Sequence, residues 1–280
     1  MSTDRPVPTN TVLGLPLAAL TMAEVVALCD EHIRAHQRLL IGVVNAAKVV
    51  NMRRDAVLRA AVLAADLLLA DGMAVVWAAW LLRRPLPERV AGIDLFVRLL
   101  EQAHERHYRV YCLGATGEVL AAVVQRIQRE YSGVQLVGWH DGYFAGGAEE
   151  RVVAEIAAAA PDILFVAMSS PKKEQFLARW IDRMKVTVCH GVGGSFDVLA
   201  GKVRRAPVTW RRLGLEWLYR VLQEPRRMWR RYLVTNTVFS MLVLRELLGG
   251  LRGARARRQA GRRRRGLYSS HQPKTLSPEP

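Results

Sequence analysis

Along the chain, short apolar runs alternate with longer stretches of helical periodicity. The runs Leu39–Val44, Leu67–Ala70, Arg109–Leu113, Gln135–Val137, Ile163–Ala167 and Thr187–His190 read as strands. Between them Ala46–Ala65, Met73–Leu82, Ile93–Arg106, Glu118–Glu130, Glu149–Ala159 and Lys173–Arg183 read as helices by length and spacing. Such alternation predicts an α/β fold with a parallel sheet covered by helices on both faces. Ligands bind such sheets beyond the carboxyl ends of the strands.

Those positions are polar or rich in glycine. Asn45 follows the first strand and Asp71-Gly72 the second. Gly114-Ala-Thr-Gly117 follows the third, and Asp141-Gly-Tyr-Phe144 comes shortly after the fourth. Ser169-Ser-Pro-Lys-Lys-Glu174 follows the fifth, and Gly191-Val-Gly-Gly-Ser-Phe-Asp197 the sixth. After Gly201 the pattern changes. Trp217, Leu218, Val221 and Leu222 recur at helical spacing, as do Met228, Trp229, Tyr232 and Leu233, and Pro225 is placed to open the second of these helices. The expected layout is a disordered start over 1–10, a catalytic α/β domain over 11–212, an amphipathic helical appendage over 213–248 and a disordered Arg-rich tail over 249–280.

Charge sharpens that division. Residues 1–201 carry 21 Lys+Arg and 21 Asp+Glu, whereas residues 202–280 carry 20 and 4. A neutral body with a cationic end implies a small-molecule site joined to a surface for something extended and anionic. No apolar stretch is both long and uncharged enough to span a bilayer: Ala56–Leu82 contains Arg59, Asp66 and Asp71, and Leu233–Leu251 contains Arg245 and Glu246. The start of the chain has no signal-peptide pattern. Cys29, Cys112 and Cys189 are widely spaced among apolar neighbours and read as free buried thiols. His32 and His36 share a helix face without a third metal ligand nearby.

Asp71 is the sharpest chemical candidate. A carboxylate at a strand end, before a glycine that permits close approach, suits a general base; Asp is also a favoured helix N-cap, and the two roles are compatible. Asn45 could orient a hydroxyl or cap the next helix. Arg89 sits in a loop where it could bind phosphate bidentately or pair with Glu88. The Gly191–Gly194 turn could present backbone amides to phosphate, and Gly114–Gly117 does so more weakly. There is no Asp-x-Asp to hold a cation on a nucleotide diphosphate, and no G-x-S-x-G elbow. Arg220, Arg226, Arg227, Arg230 and Arg231 alternate with Trp217, Tyr219, Trp229 and Tyr232. That mixture reads as a solvated helix face or as an interfacial helix pair on anionic lipid. Single-stranded nucleic acid also accepts such a mixture, but the body carries no nucleic-acid module, so nucleic acid is the less favoured partner.

Taken in order, the string Asn45…Asp71-Gly72…Glu88-Arg89-Val-Ala-Gly92…Tyr111-Cys-Leu-Gly114…Asp141-Gly-Tyr-Phe144…Pro161-Asp-Ile-Leu164…Ser170-Pro-Lys-Lys-Glu174…Gly191-Val-Gly-Gly-Ser-Phe-Asp197 resembles the WecG/TagA/CpsF family of bacterial glycosyltransferases. Ala200-Gly201, Arg205-Ala-Pro207, Leu215-Glu-Trp-Leu-Tyr-Arg220, Glu224-Pro225 and Arg231-Tyr232 extend the likeness over roughly residues 12–248. The resemblance implies a Rossmann-like α/β fold with a helical appendage and a metal-independent, cofactor-free, inverting transfer from a UDP-sugar to a sugar on polyprenyl diphosphate. It implies that Asp71 is the base, with Asn45 and Arg89 beside it. Lys173, Gly114, Gly191, Gly193, Gly194, Phe196 and Asp197 lie in matched motifs expected to contact substrate. Arg220, Arg227 and Arg230 match the appendage arginines that reach over the site and meet the membrane. The implied location is the cytoplasmic face of the bacterial plasma membrane, as a peripheral protein, and a homo-oligomer is compatible with it.

Two positions depart from the wall-acid branch of that family, Val43 where a Thr and Lys173 where a Gln is usual. Both leave the donor sugar open to a hexose or an N-acetylhexosamine, but Ser170-Pro-Lys-Lys-Glu174 and Gly201-Lys-Val-Arg-Arg-Ala-Pro207 look more like the exopolysaccharide branch, which suggests glucose or another hexose. Two rival readings from other classes are a membrane-surface or nucleic-acid binding module without catalysis and an NAD-dependent nucleotide-sugar epimerase or oxidoreductase.

Overall fold

The computed structural model describes residues 6–144, 147–212, 214–223, 225, 229 and 232–249, with the backbone alone for Arg212 and Arg220. The chain opens with a hairpin, β1 (Thr9–Val12) and β2 (Leu15–Ala18), followed by α1 (Met22–Ala35). Next come β3 (Leu39–Val44), α2 (Ala46–Arg54), α3 (Ala56–Leu63), β4 (Leu67–Ala70), α4 (Met73–Leu81) and α5 (Gly92–Arg106). The second half runs β5 (Arg109–Gly114), α6 (Gly117–Glu130), β6 (Gln135–His140), α7 (Glu149–Ala159), β7 (Ile163–Ala167), α8 (Lys172–Met184), β8 (Val188–Gly191) and α9 (Ser195–Leu199). It ends with α10 (Val208–Arg212), α11 (Glu216–Gln223) and α12, over residues 232–249.

Six strands form one parallel sheet in the order β4-β3-β8-β7-β5-β6. The chain lays down β3 and β4 at one side, crosses to β5 and β6 at the other, and fills the centre with β7 and β8. Strand residues alternate between two buried faces, as the period of two requires. Leu39, Ile41, Val110, Cys112, Ile163, Phe165 and Val188 pack with α1, α5 and α6. Leu40, Tyr111, Leu113, Leu164, Val166 and Cys189 pack with α7 and α8. Each fully buried Leu or Phe contributes roughly 1.5–3 kcal/mol. The α/β sheet with helices on both faces is thus the observed architecture, and Cys29, Cys112 and Cys189 are free and buried in it.

A third core joins the hairpin to α2, α3 and α4, where Val12, Leu15 and Leu17 meet Val49, Leu58 and Val75. Phe239 and Val243 of α12 close this core, so the last described helix is anchored to the α/β body. The Arg84–Glu246 pair at 2.8 Å adds a polar tie.

Several boundaries differ from the sequence reading. The helix expected over Ala46–Ala65 is two helices, because Asp55 accepts the Leu58 N–H at 2.8 Å and starts α3 afresh. The hairpin begins at Thr9, inside the stretch expected to lack structure, and the Asn10 amide donates to the Pro85 carbonyl at 2.7 Å. The first helix of the appendage expected over 213–248, marked by Trp217, Leu218, Val221 and Leu222, is α11, and it is preceded by α10 and a turn at Gly214. A β-carbon at Gly214 would stand 2.8 Å from the Met73 β-carbon, so glycine lets this turn pass over the start of α4. Most of the Arg-rich tail, 250–280, lies outside the described residues.

Candidate active site

Asn45 and Asp71 leave the ends of adjacent strands, β3 and β4, whose pairing runs to Val44 and Ala70. Asn45 caps α2: its Oδ1 accepts the Lys48 N–H at 3.0 Å. Asp71 is not the cap of the helix that follows it. Gly72 holds that position without a side-chain bond, and the Asp71 Oδ1 instead accepts the Gly92 N–H of α5 at 2.9 Å. Asp71 therefore holds the first turn of a helix distant in sequence. Its Oδ2 has no protein hydrogen-bond partner among the described residues. A β-carbon at Gly72 would meet that of Asn45 at 3.5 Å, which brings the two strand-end loops into contact.

Beneath these loops lies a group of buried charges. Lys48 donates to the Val43 carbonyl and to Glu174 Oε1, both at 2.8 Å. Lys173, only 7% exposed, donates to the Gly191 carbonyl at 3.3 Å and lies 3.6 Å from Glu174 Oε1. Burial, reinforced by the neighbouring Lys48 charge, pulls the Lys173 ammonium down to about 8 against the pull of Glu174 and Asp71. For Glu174 burial works upward, but the Lys48 and Lys173 charges outweigh it and hold the carboxyl below its ordinary value. Lys173, in a motif expected to contact substrate, lies under the glycine turn. A β-carbon at Gly191 would stand 2.9 Å from the Lys173 Cδ and Cε, so the glycine is what lets the lysine cross β8. A small cavity of about 30 Å³, lined by Val43, Lys48, Lys173, Glu174 and Gly191 among others, opens here.

Arg89 does not pair with Glu88, whose carboxylate accepts the Met22 N–H. It meets Glu216 of α11 at 3.1 Å and Asp94 of α5 at 3.4 Å. Arg205 grips Asp94 with two nitrogens, at 2.7 and 2.8 Å, and Arg211 approaches it at 3.5 Å. Burial works upward on the Asp94 carboxyl, but the Arg205 hydrogen bonds and the charges of Arg205, Arg89 and Arg211 prevail and lower its pKa. The Nε atoms of Arg205 and Arg211 are buried without a hydrogen-bond partner among the described residues.

Residues 10–253 match the Glycosyl transferase WecG/TagA/CpsF family. The chain belongs to that family. It is a glycosyltransferase, which sets aside the readings of a binding module and of an epimerase or oxidoreductase. It is 42% identical over 184 residues to the N-acetylglucosaminyldiphosphoundecaprenol N-acetyl-beta-D-mannosaminyltransferase of Bacillus spizizenii, an overlap of 65% of this chain and 68% of that one. It is 38% identical over 183 residues to the protein of the same name from Bacillus subtilis, covering 65% and 69%. For the Staphylococcus aureus protein of that name the figures are 39% over 166 residues, covering 59% and 65%.

In this glycosyltransferase Arg89 stands in the Asp94–Glu216 cluster, and the other residues singled out from the sequence fall into three sets. Asn45, Asp71, Lys173, Gly191 and Gly193 lie together; a β-carbon at Gly193 would stand 3.7 Å from the Lys173 Nζ. Gly194 ends the same turn as the cap position of α9, and a β-carbon there would stand 3.8 Å from the carboxylate of Asp197 in that helix. Phe196 belongs to the core instead, because its fully buried ring packs 5.6 Å from Phe96 and cannot face substrate. Gly114 has a packing duty: its φ is +116°, and a β-carbon there would stand 2.4 Å from the Ala167 carbonyl oxygen. Arg220 lies on α11 with its side chain outside the described set, and Arg227 and Arg230 lie outside the described residues. Among the described residues no group of three or more His, Cys, Asp or Glu side chains is placed to hold a metal ion.

Sequence reading assigned no role to Lys48, His190, Asp94, Arg211 or Glu216. Two of these had a visible signal. Lys48 stands three residues after the Asn45 cap, and His190 is the one basic side chain in a strand that otherwise holds Val188, Cys189 and Gly191. The Asp94–Glu216 cluster joins positions 122 residues apart, which no local spacing reveals.

Proposed function

We propose that this glycosyltransferase moves N-acetylmannosamine from UDP to N-acetylglucosamine carried on a polyprenyl diphosphate at a membrane surface. The activity named for the relatives supports this donor and acceptor, and it favours an N-acetylhexosamine donor over the glucose or other hexose suggested by the Ser170-Pro-Lys-Lys-Glu174 and Gly201–Pro207 motifs. The observation that carries the chemistry is the Asp71 carboxylate: one oxygen is fixed by the Gly92 N–H while the other has no protein partner among the described residues.

In the proposed reaction Asp71 Oδ2 takes the proton of an acceptor hydroxyl as that oxygen attacks the anomeric carbon. The new C–O bond forms on the face opposite the bond to the UDP oxygen, which breaks with its electron pair, so the configuration inverts and UDP leaves. Arg89 and the Gly194 N–H meet the departing diphosphate, while the Val192 and Gly193 N–H groups of the same turn donate to the Val166 carbonyl at 2.9 and 3.4 Å and are not offered to it; Lys173 adds positive potential from beneath the turn. In a chain without Asp-x-Asp, these cations stand where other transferases use a divalent ion.

The membrane reading has support in the exposed apolar side chains near the appendage. Trp77 and Trp80 of α4, Trp217 and Leu222 of α11, Trp229, and Leu233 of α12 are all exposed, Trp80 by 72%. Among the described residues no helix is long and apolar enough to cross a membrane, so contact would be interfacial. The test is release of UDP from a panel of UDP-sugars with a prenyl-diphosphate N-acetylglucosamine acceptor. UDP-N-acetylmannosamine should be turned over fastest; a clear preference for UDP-glucose would overturn the donor assignment, and no turnover with any of them would overturn the reaction.

A further inference from the structure

His190 is fully buried at the end of β8, and the reaction above leaves it unused. Its Nε2 lies 2.9 Å from the Gly92 carbonyl oxygen. A carbonyl only accepts, so Nε2 carries the proton and donates. Nδ1 then presents a lone pair, and it has no partner among the described residues. Burial pushes the imidazole pKa down to about 4; the Gly92 bond and Asp71 oppose this, while Lys173 and Lys48 add to it, so the ring is neutral at neutral pH.

Gly92 thus bonds in two directions. Its carbonyl takes the His190 proton, and its own N–H holds Asp71 Oδ1. It is also the first residue of α5 and is packed on both sides: a β-carbon there would meet Val43 at 3.5 Å and the His190 Cε1 at 3.7 Å. Packing alone does not call for histidine at this position. An apolar side chain of similar volume would fill the space without leaving a buried nitrogen unpaired. What only a donor supplies is the directed bond to Gly92.

We propose that His190 is a positioning residue for Asp71: its Nε2–H fixes the Gly92 carbonyl, and the Gly92 N–H in turn holds the carboxylate so that Oδ2 faces the acceptor hydroxyl. This rests on the assignment of Asp71 as the base. A carboxylate free to rotate would spend part of its time with neither oxygen aimed at the acceptor, and turnover would fall while donor binding stayed the same.

Full-length protein carrying His190→Gln or His190→Leu, each with and without Asp71→Asn, tests the proposal through kcat, KM for the UDP-sugar and thermal midpoint. Gln places an amide N–H about where Nε2 stands; Leu fills the space without a donor. The Leu variant should lose about 10- to 100-fold in kcat with KM within about twofold, and Gln should recover most of the loss. The Leu variant should nevertheless melt no lower than the Gln variant. In the Asp71→Asn background the Leu change should cost almost nothing further. Equal kcat in Leu and Gln, or the same Leu penalty with and without Asp71, would reduce His190 to core packing and overturn the proposal. If Leu does not fold, Asn, whose amide stops short of Gly92, replaces it in the comparison with Gln. Should Asp71→Asn alone keep wild-type turnover, the base assignment fails first and takes this proposal with it.

Discussion

Arg89 and Glu216 meet at 3.1 Å, and their contact joins the loop before α5 to the first turn of α11. Both side chains are mostly buried. Around them three arginines, Arg89, Arg205 and Arg211, face two carboxylates, Asp94 and Glu216. The appendage is thus held on the body by the arginine proposed to meet the leaving diphosphate. Glu216→Gln keeps the shape and removes one anion. It should lower unfolding stability by about 2 kcal/mol, the scale of a hydrogen bond to a charged group, and raise KM for the UDP-sugar as Arg89 loses its anchor. Unchanged denaturation midpoint and KM would show that the pair holds neither the appendage nor Arg89.

Asp71→Asn should leave UDP-sugar binding close to wild type and cut turnover by about 10²–10⁴-fold, the range of general acid–base catalysis. The amide can still accept the Gly92 N–H that the carboxylate now accepts at 2.9 Å, so the fold should survive. Isothermal titration with the donor and single-turnover rates separate the two effects. Near-wild-type turnover would remove Asp71 from the chemistry.

Acid should destabilise the protein through His190. Its folded pKa is lowered to about 4 from an ordinary 6.5, chiefly by burial. At neutral pH both states are unprotonated, and the ring contributes no pH dependence. Between 6.5 and 4 the unfolded chain takes up a proton that the folded chain refuses, so stability falls with pH and levels off below 4. The full swing is about 3 kcal/mol. Urea midpoints at pH 7, 5.5 and 4.5 should show this slope, and His190→Gln should flatten it. Carboxylates such as Asp94 and Glu174, whose pKa values are lowered, lose their contribution only at lower pH. An equal slope in the Gln variant would place the acid sensitivity elsewhere.

Gly114→Ala should fail as a fold change rather than a binding change. The added carbon would stand 2.4 Å from the Ala167 carbonyl at a φ of +116°, where side chains are strained. Overpacking of this kind costs about 1–3 kcal/mol, and the backbone contact puts it at or above the upper end. The melting point should drop with and without UDP-sugar alike. A variant of normal stability with weakened donor binding would restore Gly114 to the substrate pocket.

The sheet was legible because each strand is a short apolar run bounded by polar or glycine residues, and its carboxyl ends pointed to Asn45 and Asp71 before any geometry was known. The hairpin was not, since Thr9–Val12 holds a single apolar residue and Leu15–Ala18 is interrupted by Pro16, so neither reads as an apolar strand. The partners of the site residues were hidden for a different reason. Asp71 looked like the cap of α4 because the nearest helix in sequence is the natural assumption, yet its hydrogen bond goes 21 residues onward to Gly92. Phe196 sat in a matched motif, but a motif does not say which side of the backbone faces the core.

Membrane contact should depend on apolar anchors and on charge together. Near an anionic surface each Lys or Arg contributes about 1 kcal/mol, screened over a Debye length of roughly 8 Å. Residues 202–280 hold 20 Lys+Arg against 4 Asp+Glu, and much of that charge lies in 250–280. Deleting 250–280 should therefore weaken binding to anionic vesicles and leave transfer to a soluble short-chain acceptor intact, since α12 and its Phe239 and Val243 anchors remain. Trp77→Ser with Trp80→Ser should weaken binding as well, but with little change in its salt dependence, because the indoles are apolar anchors and not charges. Both rings are exposed, so folding should tolerate the exchange. About 1 M salt should release the full-length protein, since at that strength the Debye length is near 3 Å. Protein retained in the membrane pellet through both high salt and alkaline wash would mean an integral anchor, and vesicle binding unaffected by the Trp changes would move the contact away from α4.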